Sequence, residues 1–357
     1  MTARYVVSSG TRLDPGAGSA RVAYVIRGRS SMAQPVAVVF VHGINTEKPG
    51  YHEAMQAAIL AKLPKGLREH VTFRAVFWAG RVRERQKDYL DAVRTTGLFT
   101  ETNLRRLVIQ GLGDAAAYQK TKNYRNSAYY EIQEDVRAVL EDLDKDDLPG
   151  RPLIFITHSL GCHIASSFAW DINSIKNMTA AQVEADDTEV GKFVTYLRGG
   201  SPFRRLDTLA GLVMMGSNMP LFTFTFGPAR VFPITRSRGD DERPAFPGHT
   251  LDDATRDRAR WVNYYSHNDL LGFPLKPLNK AYADEPRLTD IEVASEGLWL
   301  RLLGRVAPVV AAYRAHTGYW THRKVVRGAA DLIASIATAN EPAPVRRFGF
   351  LRIRRSG

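Results

Sequence analysis

Short unbroken apolar runs alternate along the chain with longer stretches whose apolar residues recur every three or four positions. The runs include Val36–Val41 (VAVVFV), Leu153–Ile156 (LIFI) and the block that follows Thr208 (LAGLVMM). Runs of this length suit strands buried on both faces of a parallel sheet. Val71, Phe73, Ala75 and Phe77 alternate through a fourth strand, and Val262–Tyr265 is a short fifth. Between them lie helical patterns. Met55, Ile59 and Leu63 share one face of a helix from Tyr51 that Pro64 and Gly66 stop. Ile132, Val136, Val139 and Leu140 mark a second helix over 129–143, and Lys324–Ala339 reads as the last.

Strand, helix and strand in turn predict the α/β class: a mostly parallel central sheet with helices on both faces. The stretch 81–150 is heavily helical, with a charged segment at 81–95 and Leu104, Leu107, Val108 and Leu112 at helical spacing. One crossover needs far fewer residues. A helical insertion is expected here, either as a cap over the site or as extra helices on the flank of the sheet. The expected organisation is one domain over 1–340, preceded by short lead-in strands near Tyr5–Val7 and Arg21–Arg27. A loop over 218–257, rich in Pro, Arg and Asp, has the length of a lid. Its Phe222-Thr-Phe-Thr-Phe alternation reads as a small hairpin in preference to a wall for an acyl chain. Pro342 and Pro344 separate a basic tail, 341–357.

Candidate chemistry gathers where strands end. Pro152–Ser167 (PLIFITHSLGCHIASS) runs from a buried strand over Thr157-His158-Ser159-Leu160-Gly161 into a run of small and apolar residues. A serine at the crest of a strand-to-helix turn is the layout of a nucleophile elbow, general pattern G-x-S-x-G. Thr157 stands where that pattern has glycine, near the upper size limit for the position. Without further support, Ser159 would be an ordinary capping residue. The first strand stops at His42-Gly43-Ile44-Asn45, a turn able to leave a backbone N–H pointing into a site. Asp269 follows the late strand directly, at the edge where all parallel strands end. His316 and His322 precede the last helix.

The order Ser159, Asp269, His316 or His322 is that of the α/β-hydrolases. Together with the strand-end His-Gly, it makes the chain resemble a lipase- or esterase-type α/β-hydrolase. The segments GSNMPLF, HNDLLGFPL and HTGYW resemble a group of poorly characterised bacterial members. The resemblance implies the α/β-hydrolase fold, with Ser159 as nucleophile, Asp269 as acid and His316 as base. It also implies backbone oxyanion donors at Leu160 and Ile44. His316 is preferred to His322 because it lies further from the final helix, in a loop expected to reach the site. The remaining polar residues have plainer readings. His267 is a surface residue, and His163 packs within its helix. His158 fills the variable place beside the nucleophile, and His42 orders its loop. Asp207 lies at the opposite sheet edge, and Tyr319 and Trp320 pack beneath the histidine loop. The expected reaction is ester hydrolysis through an acyl-enzyme, without cofactor, on a small-molecule or lipid ester. Two other readings stand beside it: a lipase or phospholipase at a membrane surface, and a non-catalytic scaffold on a hydrolase fold.

Composition adds limits. The single cysteine, Cys162, precludes an intrachain disulfide, and no apolar run reaches the length of a membrane span. With no signal-peptide core at the N-terminus, a cytoplasmic protein is expected. The 49 basic residues outnumber the 37 acidic ones, a net charge of +12. Arg346, Arg347, Arg352, Arg354 and Arg355 lie in the tail, and taking these five away leaves +7. Interleaved with Phe348 and Phe350, they suit nucleic acid, an anionic membrane, a solvated tail or a last strand; no nucleic-acid-binding motif accompanies them. Metal-ligand spacing and a phosphate-binding glycine loop are both lacking.

Overall fold

In the computed structural model, the residues described are 33–46, 48–96, 111, 113–119, 127–145, 150–176, 200–224, 227, 231–236, 244–294 and 308–341. All belong to a unit that begins at Ala33. The lead-in strands, most of helix 103–120, a smaller part of the 218–257 loop and nearly all of the basic tail lie outside these residues.

Six strands form one parallel sheet in the order β2-β1-β3-β4-β5-β6: β1 Val36–Val41, β2 Val71–Val76, β3 Leu153–His158, β4 Leu209–Met215, β5 Arg260–Tyr265 and β6 Leu288–Glu292. The three apolar runs are β1, β3 and β4, every residue of which is buried. Helices cover both faces, and β1 shows how. Val36, Val38 and Phe40 pack with Met55 and Ile59 of α1 (Glu53–Lys62) and with the final helix. Ala37, Val39 and Val41 point the other way, toward Ile132 and Val136 of a helix over 128–144 and toward the helix that follows β3. Alternate side chains of a strand leave on opposite faces, so a strand that is apolar throughout must be covered twice.

After α2 (Ala79–Thr96) and a helical turn at 113–117, α3 (Ala128–Asp144) packs on the sheet as a crossover helix, its Ser127 side chain capping the Tyr130 N–H. The turn at 113–117 instead meets the loop after β1. The short strand β6 is absent from the sequence reading. Its LTDIE sequence has three polar residues of five and is half-exposed, as an edge strand allows. Phe222 and Thr223, expected in a small hairpin, belong instead to a short helix, α5 (Met219–Thr223), opened by Asn218 and Pro220, and positions 225 and 226 of that expectation lie outside the described residues. Proline at the first helical turn favours that start and removes a donor that a strand would need. Among the described residues no helix is long and apolar enough to cross a membrane.

Candidate active site

The strand order reverses between β1 and β3: the chain moves from β1 out to β2, crosses back to β3 and then proceeds to β6. In parallel sheets, the carboxyl ends beside such a switch point leave a crevice, because the flanking connections depart on opposite faces. Both loops that sequence marks as chemical, His42–Asn45 after β1 and Ser159 after β3, sit at this place.

Ser159 links β3 to α4 (Leu160–Lys176) and adopts φ 53°. A non-glycine residue held in the left-handed region costs roughly 1–3 kcal/mol and persists only where its surroundings impose it. Here the Ser159 N–H donates to the Met215 carbonyl oxygen at 2.9 Å, tying the elbow to the end of β4. Thr157, in the glycine place of the elbow pattern, is fully buried and its hydroxyl lies 3.2 Å from Cys162 Sγ. Burial raises the Cys162 thiol to about 11, so it stays protonated at neutral pH.

The structure brings Ser159, His316 and Asp269 into one hydrogen-bonded chain. His316 Nε2 lies 2.8 Å from Ser159 Oγ, and Nδ1 lies 2.9 and 3.0 Å from the two oxygens of Asp269. A carboxylate only accepts, so Nδ1 carries the proton and the Nε2 lone pair faces the serine hydroxyl. All three residues are buried. Burial by itself would raise the Asp269 carboxyl. Hydrogen bonds from His316, the Leu271 N–H at 2.9 Å and the Tyr319 hydroxyl at 2.8 Å outweigh it and hold the carboxyl below its usual value. The floor beneath is Gly216, at φ +56°, where a Cβ would come within 2.9 Å of Asp269 Oδ2 and 3.2 Å of His316 Nδ1.

His316 does not lie in a loop, as expected, but in the last turn of α6 (Pro308–Thr317), directly before a 3₁₀ turn at Gly318–Thr321. His322 is half-buried and caps the final helix. It accepts from the Lys324 N–H at the start of α7 (Arg323–Ala337), and its Nε2 lies 3.2 Å from the Ala294 carbonyl oxygen. His267 pairs with Glu292 at the surface, and Asp207 pairs with Arg205 and His249 beneath the amino end of β4. His163 stacks on Phe222 at 4.1 Å.

Two residues near the serine do more than their sequence reading allows. The Tyr319 hydroxyl serves Asp269, beyond mere packing. His158 Nε2 lies 2.7 Å from the His316 carbonyl oxygen and so donates to it, anchoring the backbone of the residue that reaches Ser159. Burial lowers the His158 pKa to about 3, leaving the ring neutral. Only the pairing of His158 with a residue 158 positions away reveals this, and no local pattern encodes it.

The β1 turn is equally ordered. His42 Nε2 accepts from the Trp78 N–H at 3.2 Å, so Nδ1 is the donor to the Gly43 carbonyl oxygen at 2.7 Å. The Trp78 indole N–H closes the arrangement on the His42 carbonyl oxygen. Burial lowers the His42 pKa to about 3, consistent with a structural, neutral ring. Leu160 is the first residue of α4, where helix geometry leaves its N–H without an intrahelical acceptor. Among the described residues, the Ile44 N–H forms no backbone hydrogen bond. The same residues hold no cluster of three or more His, Cys, Asp or Glu suited to a metal. No protein-family model matches the chain, and no curated protein matches it.

Proposed function

We propose that this protein is a serine hydrolase of the α/β-hydrolase fold that cleaves a carboxylic ester through an acyl-enzyme. The observation that carries the reading is the Ser159–His316–Asp269 chain, with Ser159 in a left-handed turn at the switch-point edge. His316 takes the Ser159 proton as the oxygen attacks the ester carbonyl, and then gives it to the departing alcohol. Asp269 keeps Nδ1–H directed and stabilises the imidazolium. Water enters, loses its proton to His316 and releases the acid from Ser159, restoring the starting state. The N–H groups of Ile44 and Leu160 are assigned to the tetrahedral oxyanion, where one such donor contributes about 3 kcal/mol. As written, the steps need no cofactor.

Fluorophosphonate labelling tests the reading, because the probe reacts only with an activated serine. The expected outcome is one label on the wild type, none on Ser159→Ala, and loss of p-nitrophenyl ester turnover in the same variant. A folded wild type that neither labels nor turns over, with or without detergent micelles, means a scaffold on this fold. Labelling that survives Ser159→Ala assigns the nucleophile elsewhere.

A lipid-like ester is favoured by one observation. Phe224, past β4, is 76% exposed, and Leu270, next to the proposed acid, is 70% exposed. Large apolar side chains on loops that flank a buried serine suit a long acyl chain or a membrane surface. Faster turnover of long-chain than short-chain p-nitrophenyl esters, and activation by anionic vesicles that is lost on deleting 341–357, are the expected results. Indifference to chain length and vesicles removes this second reading.

A further inference from the structure

The turn that carries the proposed oxyanion donor is held from the side by the helical insertion. Asn45, the residue after Ile44, has φ 59°. Its backbone N–H donates to Asp114 Oδ2 at 3.2 Å, and Gln86 Nε2 of α2 donates to Asp114 Oδ1 at 2.9 Å. Arg83, one turn before Gln86 on α2, donates to the Thr46 carbonyl oxygen. Independently of these bonds, the insertion touches the turn through Gly111. A Cβ there would lie 3.1 Å from Ile44 Cδ1 and 3.4 Å from Asn45 Nδ2. On its other side, the turn abuts the elbow, since a Cβ on Gly43 would stand 2.5 Å from Ser159 Cβ.

Asp114 is 3% exposed. Burial pushes its carboxyl up to about 6, against the Asn45 N–H, Gln86 and Arg83, which all draw it down. A buried carboxylate is a costly way to fill space, and an apolar residue would pack there at less expense. What a carboxylate offers is a strong acceptor for a backbone N–H. The peptide between Ile44 and Asn45 is planar, so fixing the Asn45 N–H fixes that plane. Only the φ and ψ of Ile44 then separate the clamp from the Ile44 N–H.

We propose that Asp114 is a positioning residue: from the helical insertion, it holds the Ile44–Asn45 turn in the shape that lets the Ile44 N–H serve the oxyanion. This rests on the ester-hydrolase reading, and it makes the insertion part of the catalytic apparatus. The carboxylate acts through the backbone and does not touch substrate.

Three variants of the full chain test it. In Asp114→Ala, kcat for p-nitrophenyl esters falls by about 10- to 100-fold while KM stays within about two-fold, the pattern of an interaction realised in the transition state. Asp114→Asn keeps an oxygen for the Asn45 N–H and a group able to pair with Gln86, and it recovers kcat to within about three-fold of wild type. Asp114→Ser keeps a small polar group but is too short to reach the Asn45 N–H, and it reproduces the kcat loss. Should Asp114→Ala not fold, Asp114→Ser and Asp114→Asn carry the test. Hydrogen exchange of peptides spanning 43–46 is a readout that needs no activity: faster in Asp114→Ala, near wild type in Asp114→Asn. Unchanged kcat and exchange in Asp114→Ala, equal losses in Ala and Asn, or a change confined to KM overturns the clamp. A wild type unlabelled by fluorophosphonate, yet with the expected exchange pattern, instead overturns the hydrolase reading and leaves the clamp as a structural device.

Discussion

Gly161, the second residue of α4, packs directly against the end of β1. A Cβ at this position would lie 2.4 Å from the Val41 carbonyl oxygen, 2.6 Å from that of His42 and 2.8 Å from the Val41 carbonyl carbon. All three are backbone atoms, so no side chain can swing aside. Reaching ordinary contact near 3.4 Å requires the end of β1 and the start of α4 to part by about 1 Å. Gly161→Ala should therefore cost about 1–3 kcal/mol of stability through overpacking. It should cost more in catalysis. Ile44 follows β1 and Leu160 starts α4, so the same displacement spreads the two proposed oxyanion donors. A donor moved by about 1 Å leaves the 2.7–3.1 Å range in which it works, a loss of about 3 kcal/mol or roughly 10²-fold in kcat. Ester turnover, the rate of fluorophosphonate labelling and thermal unfolding measure these quantities. Gly318→Ala is the control: it lies two residues from His316, yet its Cβ would meet nothing within 4 Å. If Gly161→Ala turns over within about three-fold of wild type, or Gly318→Ala is equally impaired, the coupling of the two loops through this contact is wrong.

Other outcomes follow from the same geometry. Asp269→Asn removes the charge that holds His316 in its productive tautomer, and kcat should fall on the order of 10⁴-fold with the fold intact. His316→Ala should abolish labelling of Ser159, whereas His322→Ala, which loses the helix cap and the Ala294 contact, should keep ester turnover and lose about 1 kcal/mol of stability. Tyr319→Phe removes a donor from a buried carboxylate and should cost about 1.5–3 kcal/mol in urea unfolding at pH 7. The sign of its pH dependence is set by Asp269, whose folded pKa lies below the ordinary 3.8. Stability from such a group is present above the unfolded value and is lost as pH falls through the folded one. The Tyr319→Phe deficit should accordingly be full at neutral pH and shrink in acid below about pH 4. A deficit that grows on acidification contradicts the assignment.

Much of this site was legible in the chain because its parts are local. A strand buried on both faces must be apolar throughout, which marks β1, β3 and β4. A turn that ends such a strand and opens a helix marks Ser159, and the residue just past β5 marks Asp269. What local pattern could not supply was depth and partnership. β6, at the edge and half-polar, lacks the apolar signature. Phe222 and Thr223 alternate like a strand, but Pro220 and the packing around them make a helix. Asp114 reads as one more acid in a charged insertion.

By itself, then, the sequence determined β1 to β5, the turn at Ser159 and the order of serine, acid and histidine along the chain, since each depends on neighbours a few residues apart. Only tertiary structure chose between His316 and His322, joined Tyr319 to Asp269 across 50 positions and set Asp114 on a turn 69 positions earlier. A hydrogen bond specifies a distance of about 3 Å in space and none along the chain, and its partners become neighbours only once the sheet has formed.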